Sequence, residues 1–247
     1  MKKILALILL LSLAFFAYQY INQDLIAPYG QAKIDQSVSS SYVTQSVKEN
    51  PGFIEYGKSE NLELGAANAV TNIVLGYRAL DTLGEVTVLF ISAIGVSIII
   101  NTNAGLFKRS RSGFILRVGA KMTLPIILVV AVFVITHGHL TPGGGFQGGA
   151  MIAAGMLLMA LSDPDFLPSI KNFKILEGIS GTAIVLVGLI GFATTGYFLS
   201  NFMNTGQIGH IFSAGTLPIL YVFIGLKVGS ELTNIITDIV GKEATLD

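Results

Sequence analysis

Long apolar runs dominate this chain and restrict what it can fold into. A helix needs about 20 mostly apolar residues to cross a bilayer, and six predominantly apolar segments fill most of the 247 residues. Only 12% of the residues are charged and the mean hydropathy is +0.69, whereas about 25% of residues are charged in a soluble domain. The sequence therefore predicts an all-α integral membrane protein with about six transmembrane helices, at Ile4–Tyr20, Leu83–Leu106, Val118–Thr136, Gly148–Leu161, Gly178–Leu199 and Ile211–Leu226.

The first apolar segment has two interpretations. Lys2 and Lys3 precede it, as they would precede a secretory signal peptide. A signal also needs small residues at its cleavage site, and Ala14 and Ala17 are separated by two Phe. We favour an uncleaved membrane anchor, with a cleaved signal as the alternative.

Two stretches near the N-terminus differ from the spans. Asn22 to Glu63 is rich in Ser, Gln and Glu and is predicted to be one long extracellular loop. Leu64–Leu80 is only half apolar, which favours an interfacial or partly inserted helix. Pro218 is expected to interrupt the last span, an interruption that neighbouring helices can tolerate.

The basic residues predict the orientation. Cytoplasmic loops carry an excess of Lys and Arg, and one third of the basic residues crowd the junction between spans two and three. With six spans, the N and C termini are then cytoplasmic too. This topology places eleven basic residues inside, Lys227 among them, and four outside; the junction residues are Lys108, Arg109, Arg111, Arg117 and Lys121.

Several functions are disfavoured by composition. Fifteen Lys and Arg balance fifteen Asp and Glu, so there is no electrostatic case for binding nucleic acid. The chain has no cysteine, which excludes disulfides, thiolate metal sites and iron–sulfur ligation. We expect no cofactor in this chain.

The most distinctive motif follows the third span, and reads HGHLTPGGGFQGG from His137 to Gly149. Glycines permit positive φ angles, so the chain can turn sharply here and re-enter the membrane. A G-x-G-x-x-G pattern is present, but no strand precedes it and a dinucleotide site is not expected. The structural motif consists of Pro142, Gly143, Gly144, Gly145, Phe146, Gly148 and Gly149.

The three histidines have alternative roles. His137 and His139 form an H-x-H pair, and His210 is predicted at the same outer level. The rings can simply bond loop carbonyls, or relay protons at a water-lined membrane boundary. A three-histidine metal site is a weaker alternative, and no metal site is predicted.

A second group of polar residues opens span two. Thr82 and Glu85 fit a capping box, which would explain both by helix chemistry alone. The alternative is an Arg78–Asp81 ion pair that leaves Glu85 to bind or pass a cation, because charge at a membrane boundary must be paired or hydrated.

Other charges and small residues have structural interpretations. Lys121 is either a snorkelling anchor or a protonatable residue of an ion path, and Glu177 favours the N-terminus of span five. Small residues allow close helix contacts, a role open to Gly145, Gly149, Gly181, Gly188 and Gly191.

The two motifs carry a family resemblance. From about Phe114 to the C-terminus, the chain resembles the B subunit of Mrp-type (MnhB) multisubunit Na⁺/H⁺ antiporters, through His137–Gly149. Asn68–Gly95, with its sequence YRALDTLGE, is similar to the C-terminal region of the A subunit. The resemblance implies two joined modules, residues 1–106 with two transmembrane helices and residues 107–247 with four.

The resemblance also implies a function. Such subunits belong to complexes in prokaryotic cell membranes that couple proton and sodium movement, either as antiporters or within membrane-bound hydrogenase-type complexes. The chain would be a multi-pass transporter subunit and not an enzyme, with antiporter-like and other Mrp-type membrane subunits, or redox subunits, as partners. A purely structural assembly role is the alternative. The ion path candidates are Asp81, Glu85, His137, His139, Lys121 and His210.

Overall fold

A computed structural model of the chain describes residues 10–12, 14–15, 18, 55–60, 62–102, 112–163, 165–166 and 168–241. Two compact units are present, Met1–Ser41 and Tyr42–Asp247. The described residues of the first unit are helical. Most of the predicted anchor Ile4–Tyr20, most of the long loop, and the basic residues Lys108, Arg109 and Arg111 lie outside the described residues.

Five helices of the second unit are long and apolar enough to cross a membrane. Among the described residues there is no strand, only an isolated bridge between Glu60 and Gln207. This part of the chain is therefore all-α, as predicted. The helices are α2 (Ala79–Thr102), α3 (Phe114–Thr136), α4 (Gly145–Ser162), α5 (Ile170–Thr195) and α6 (Leu217–Gly241), preceded by a short α1 (Ala69–Thr71).

The predicted bounds of the last two spans were wrong. The helix α5 begins at Ile170 and stops where Gly196 adopts a left-handed conformation with φ of 84°. The helix α6 continues to Gly241, far beyond the predicted end at Leu226. Pro218 does not interrupt it, because it lies in the first turn, where its missing N–H is not needed.

The half-apolar segment before α2 is not one interfacial helix. Its last part forms α1 and then a π-helix, Asn72–Tyr77, and Arg78 separates this from α2. Thr82 lies inside α2, and its hydroxyl donates to the carbonyl of Val74 at 2.8 Å. The predicted capping box of Thr82 and Glu85 is therefore wrong, since the helix begins before Thr82.

The helix α6 is the centre of the bundle. It packs against α2, α3, α4 and α5, and 56% of its apolar 18-residue stretch is buried, compared with 11% for that of α2. Leu217, Leu220 and Val228 are fully buried in the core. Most of α2 consequently offers an open apolar surface.

Glycines bring α4 and α6 together. A Cβ atom at Gly149 would lie 2.7 Å from the carbonyl oxygen of Gly225, and one at Gly145 would lie 2.5 Å from that of Tyr221. This confirms the close helix contact predicted for Gly145 and Gly149. Gly188 and Gly191 face the loop at Phe198–Ser200 instead of another helix.

Candidate functional site

The glycine-rich motif forms a tight connection between α3 and α4. Gly144 has a φ of 143°, and a Cβ atom there would lie 2.9 Å from the ring of Tyr221. Its N–H donates to the carbonyl of Val134 at 3.2 Å. The chain thus reverses at this point as predicted, and α4 begins at Gly145 rather than Gly148.

The segment before α2 docks onto this connection. The N–H of Asn68 donates to the His139 carbonyl, and its side-chain amide donates to the carbonyls of Gly138 and Thr141, all at 3.0 Å. The hydroxyl of Thr71 donates to the same Gly138 carbonyl at 2.7 Å and bonds the Tyr221 hydroxyl at 2.7 Å. The two motifs are therefore joined, an arrangement we call the latch. Its residues are Asn68, Thr71, Gly138, His139, Thr141 and Tyr221.

The three histidines occupy different surroundings. His137 stacks on Phe133 with ring centroids 4.1 Å apart, and its Nδ1 lies 3.2 Å from the Phe133 carbonyl. His139 is fully buried, with neither ring nitrogen hydrogen-bonded within the described part of the chain. His210 is exposed. No three His, Asp or Glu side chains are grouped as metal ligands among the described residues.

The electrostatics of His139 favour its neutral form. Burial lowers the pKa of this imidazole below its usual 6.5, and the nearby His137 acts in the same direction. Backbone groups of His210 and Ile211 face the ring and partly oppose the shift. The carbonyl next to the His137 ring thus belongs to helix α3, whereas the backbone groups that face the His139 ring belong to the loop at 210–211.

The predicted Arg78–Asp81 ion pair is present beside the start of α2. Both side chains are more than half exposed, so the pair contributes little stability, at most about 1 kcal/mol. The two residues line an open cleft of about 630 Å³ between the π-helix and the loop at 197–201.

Glu85 stands apart from these groups. It is exposed on the open surface of α2 near Val88 and Ile91, each more than 60% exposed. A Cβ atom at the adjacent Gly84 would meet nothing within 4 Å. No hydrogen bond or ion pair within the described residues joins Glu85 to the histidines, so the predicted candidates do not form one site.

Lys121 lies at the opposite end of the bundle. Its ammonium group pairs with the carboxylate of Asp163 at 2.8 Å. The hydrogen bond from Lys121 and a second from the N–H of Asp165 lower the pKa of Asp163, while partial burial opposes them. The interaction holds together the ends of α3 and α4.

Sequence reasoning missed a group of charged residues in the middle of α5 and α6. Lys227 was expected at the cytoplasmic end of the last span, and Glu177 at the N-terminus of span five. The structure places both inside helices, with Lys227 next to Glu177 and the buried Glu231. The i, i+4 spacing of Lys227 and Glu231 was an available signal, but the predicted span ended before it.

The fold and the latch define a class of protein: a polytopic helical membrane protein with a glycine-rich connection fixed by a preceding helical segment. Residues 115–234 match the family described as "Domain related to MnhB subunit of Na+/H+ antiporter". The chain belongs to this family of antiporter-related subunits. The resemblance noted for the C-terminal module is thereby confirmed.

Relatives support this assignment over most of the chain. An uncharacterized protein of Methanocaldococcus jannaschii is 34% identical over 195 residues, covering 68% of this chain and 74% of that one. A chain of the membrane-bound sulfane sulfur reductase, an archaeal respiratory membrane complex, is 38% identical with a TM-score of 0.67, covering 97% of this chain and 98% of that one. A chain of the Mrp complex from Dietzia sp. DQ12-45-1b shares the fold, with a TM-score of 0.65 at 20% identity over 98% of this chain and 26% of that one.

Proposed function

We propose that this chain is a subunit of a multisubunit Na⁺/H⁺ antiporter, or of the antiporter module of a redox-driven complex, and forms one wall of a cation path at the interface with partner subunits. The chain is itself a transporter component and not an enzyme, in the cell membrane of a prokaryote. Residues 1–106 act as a module like the C-terminal region of the antiporter A subunit, and residues 107–247 as the MnhB-like module. The family match and the solved relatives in an Mrp complex and a respiratory complex support this proposal.

The position of Glu85 carries the proposal. It lies six residues after the start of α2, which corresponds to a depth of about 9 Å along the helix. A carboxylate facing hydrocarbon is costly, and such residues almost always face a partner or a hydrated cavity. Because the described residues of this chain leave Glu85 uncovered, the cover comes from another subunit or from water between subunits.

Glu85 has chemistry suited to a transported cation. A carboxylate offers oxygen ligands to Na⁺ or accepts a proton, and a conducting site must bind weakly enough to release its ion. The Arg78–Asp81 pair, one helical turn away, neutralises the other charges at this end of α2. Among the described residues, Glu85 thus has no ion-pair partner, and it lies on the surface that we expect partners to cover.

Replacing Glu85 with Gln in the assembled complex tests the proposal. We expect Na⁺-dependent activity to be abolished while the amount of assembled complex stays unchanged, since Gln keeps the shape and removes the charge. The matched control is Glu55→Gln, which alters an exposed loop acid paired with Lys58 and should retain parental activity. Na⁺ extrusion at the parental rate in Glu85→Gln would refute the role of Glu85.

A second candidate function is assembly without ion contact. The latch favours it, because several hydrogen bonds hold Asn68 and Thr71 on the glycine-rich connection with no need of an ion. Here Glu85→Gln would leave transport at the parental rate. Disrupting the latch by Asn68→Ala would instead deplete the purified complex of subunits, which subunit quantification by mass spectrometry measures.

A further inference from the structure

Four side chains make a polar centre between α5 and α6, in the middle of apolar helices. The ammonium group of Lys227 lies 3.3 Å from an oxygen of Glu231 and 3.8 Å from one of Glu177. The amide of Asn234 donates to the second oxygen of Glu177 at 2.9 Å. Lys227 also lies over the ring of Phe90 of α2, 4.7 Å from its centroid.

This centre lies away from the ends of both helices. Lys227 is ten residues into the 25-residue helix α6, about 15 Å from its start. Glu231 is 1% exposed, and the side chains of Lys227 and Glu177 are 13% and 14% exposed. The described residues therefore cover most of the surface of these three charged side chains.

The charges of the centre do not balance. When all are ionised, Glu177 and Glu231 supply two negative charges and Lys227 supplies one positive charge. An unpaired charge in a low-dielectric interior is strongly unfavourable. The arrangement is therefore short of one positive charge.

Two buried oxygens mark where that charge belongs. Oε1 of Glu231 and Oδ1 of Asn234 are buried and accept no hydrogen bond within the described part of the chain. Buried acceptors are normally satisfied, so each of these oxygens retains the capacity to accept a proton donor or a cation. Both residues line an open cleft of about 410 Å³ between α2, α5 and α6, which gives an ion a way to reach them.

We propose that α5 and α6 hold a site for one exchangeable monovalent cation, a proton or Na⁺, bound by Glu231, Asn234 and Glu177 with Lys227 as the fixed counter-charge. The ligands are hard oxygen atoms, which suit either ion. The inference goes beyond the proposed function, because it places a cation inside this chain's own helices rather than at Glu85 on the open surface of α2.

Two further charged side chains lie near the centre. Lys174 of α5 and Asp238 of α6 line the same cleft. Lys174 is exposed, and Asp238 accepts a hydrogen bond from Ser97 of α2 at 2.6 Å. The residues of α2 that line the cleft carry no charge, and α4 meets this part of α6 through Gly149 and Ile152. Glu231 and Asn234 are thus the residues with unused oxygens.

Infrared difference spectroscopy of the whole purified complex tests this site without depending on transport. Immobilised complex is perfused with alkaline and then acidic buffer, first with choline as the cation and then with Na⁺. We expect the wild type to show the carbonyl band of a protonated carboxyl group that Glu231→Gln removes and the Glu55→Gln control retains. In Glu177→Gln, the charges of Lys227 and Glu231 balance without a bound cation. The band of protonated Glu231 should therefore appear only at more acidic pH in this variant.

The comparison of Na⁺ with choline shows whether the site takes Na⁺ as well as a proton. If Na⁺ decreases the band at constant pH and choline does not, the site exchanges the two cations; if Na⁺ has no effect, the proton is the occupant. The proposal is overturned if neither acidification nor Na⁺ produces a signal that Glu231→Gln removes. It is also overturned if both Glu231→Gln and Glu177→Gln deplete this chain from the complex, since the centre would then be a structural ion pair.

The two proposals fail separately. A carboxyl band lost in Glu231→Gln, together with parental Na⁺ extrusion in Glu85→Gln, would support the buried site and refute the role of Glu85. The reverse pattern would retain the interface path and remove the buried site.

Discussion

At the scale of single residues, burial separates His139 from the other two histidines. Its ring is enclosed at the latch while its own carbonyl accepts a hydrogen bond from Asn68. The backbone of this residue therefore holds the structure together, and the ring remains the part that can respond to pH. Its lowered pKa means that the unfolded chain binds a proton more readily than the folded protein does.

We predict that this histidine makes the protein less stable in acid. The pKa of His139 is below 6.5 in the folded protein and about 6.5 when unfolded. The contribution of neutral His139 to the free energy of unfolding is thus fully present above pH 6.5. It is lost as the pH decreases toward the pKa of the folded protein. Melting temperatures of the detergent-purified protein measured across this range should fall, and His139→Gln should reduce the fall.

His210→Gln is the matched control, because His210 is exposed. Its melting temperatures should follow the same pH dependence as the wild type. If the melting temperatures of His139→Gln and the wild type fall equally in acid, His139 is not the cause of the acid sensitivity.

At the scale of helices, the contact between α4 and α6 depends on missing side chains. A Cβ atom at Gly149 would approach backbone atoms of Gly225 and Gly229 at 2.7 and 2.9 Å. Backbone cannot rotate away as a flexible side chain can. The two helices would have to move apart, and the core around Val228 would loosen.

We predict that Gly149→Ala destabilises the protein by about 1–3 kcal/mol, the usual cost of overpacking. Gly119→Ala in α3 is the matched control, because a Cβ atom there meets nothing within 4 Å. Gly119→Ala should leave the stability unchanged or increase it slightly, since a helix is about 0.5–1 kcal/mol more stable with Ala than with Gly at an interior position. Denaturation of both variants in the same detergent gives the comparison, and equal stabilities would contradict the packing argument.

The existence of these helices could be predicted from sequence, but not all of their ends. Apolar length identifies a span directly, and the Arg78–Asp81 pair was predictable because its partners are three residues apart. The end of α6 was not predictable in this way, because Lys227, Glu231 and Asp238 resemble the charged end of a span. Lys227 is paired inside the helix with Glu177 of α5, and Asp238 is bonded to Ser97 of α2, and both partners are distant in sequence.

At the scale of the whole molecule, the latch joins the two predicted modules. Hydrogen bonds run from Asn68 and Thr71, in the first module, to Gly138 and Tyr221 in the second. The helix α2 adds its apolar contact with α6. Each motif was recognisable from sequence, but their contact was not, because it joins residues about 70 and 150 positions apart.

We predict that residues 1–106 and 107–247 associate when they are expressed as two separate chains. The latch and the α2–α6 contact supply the binding surface without a covalent link. Co-purification through a tag on one part measures the association, and Asn68→Ala should decrease the yield of the untagged part. Recovery of each part alone would show that the link between the modules is required.

The latch also affects how mutants of the glycine-rich motif should be interpreted. The hydrogen bonds from Asn68 and Thr71 to the connection reach main-chain carbonyls, while the side chains of Pro142 and Phe146 are exposed. Substitutions of these two side chains should therefore leave the hydrogen bonds of the latch in place. A defect caused by changing either one would report on what the neighbouring polypeptides require.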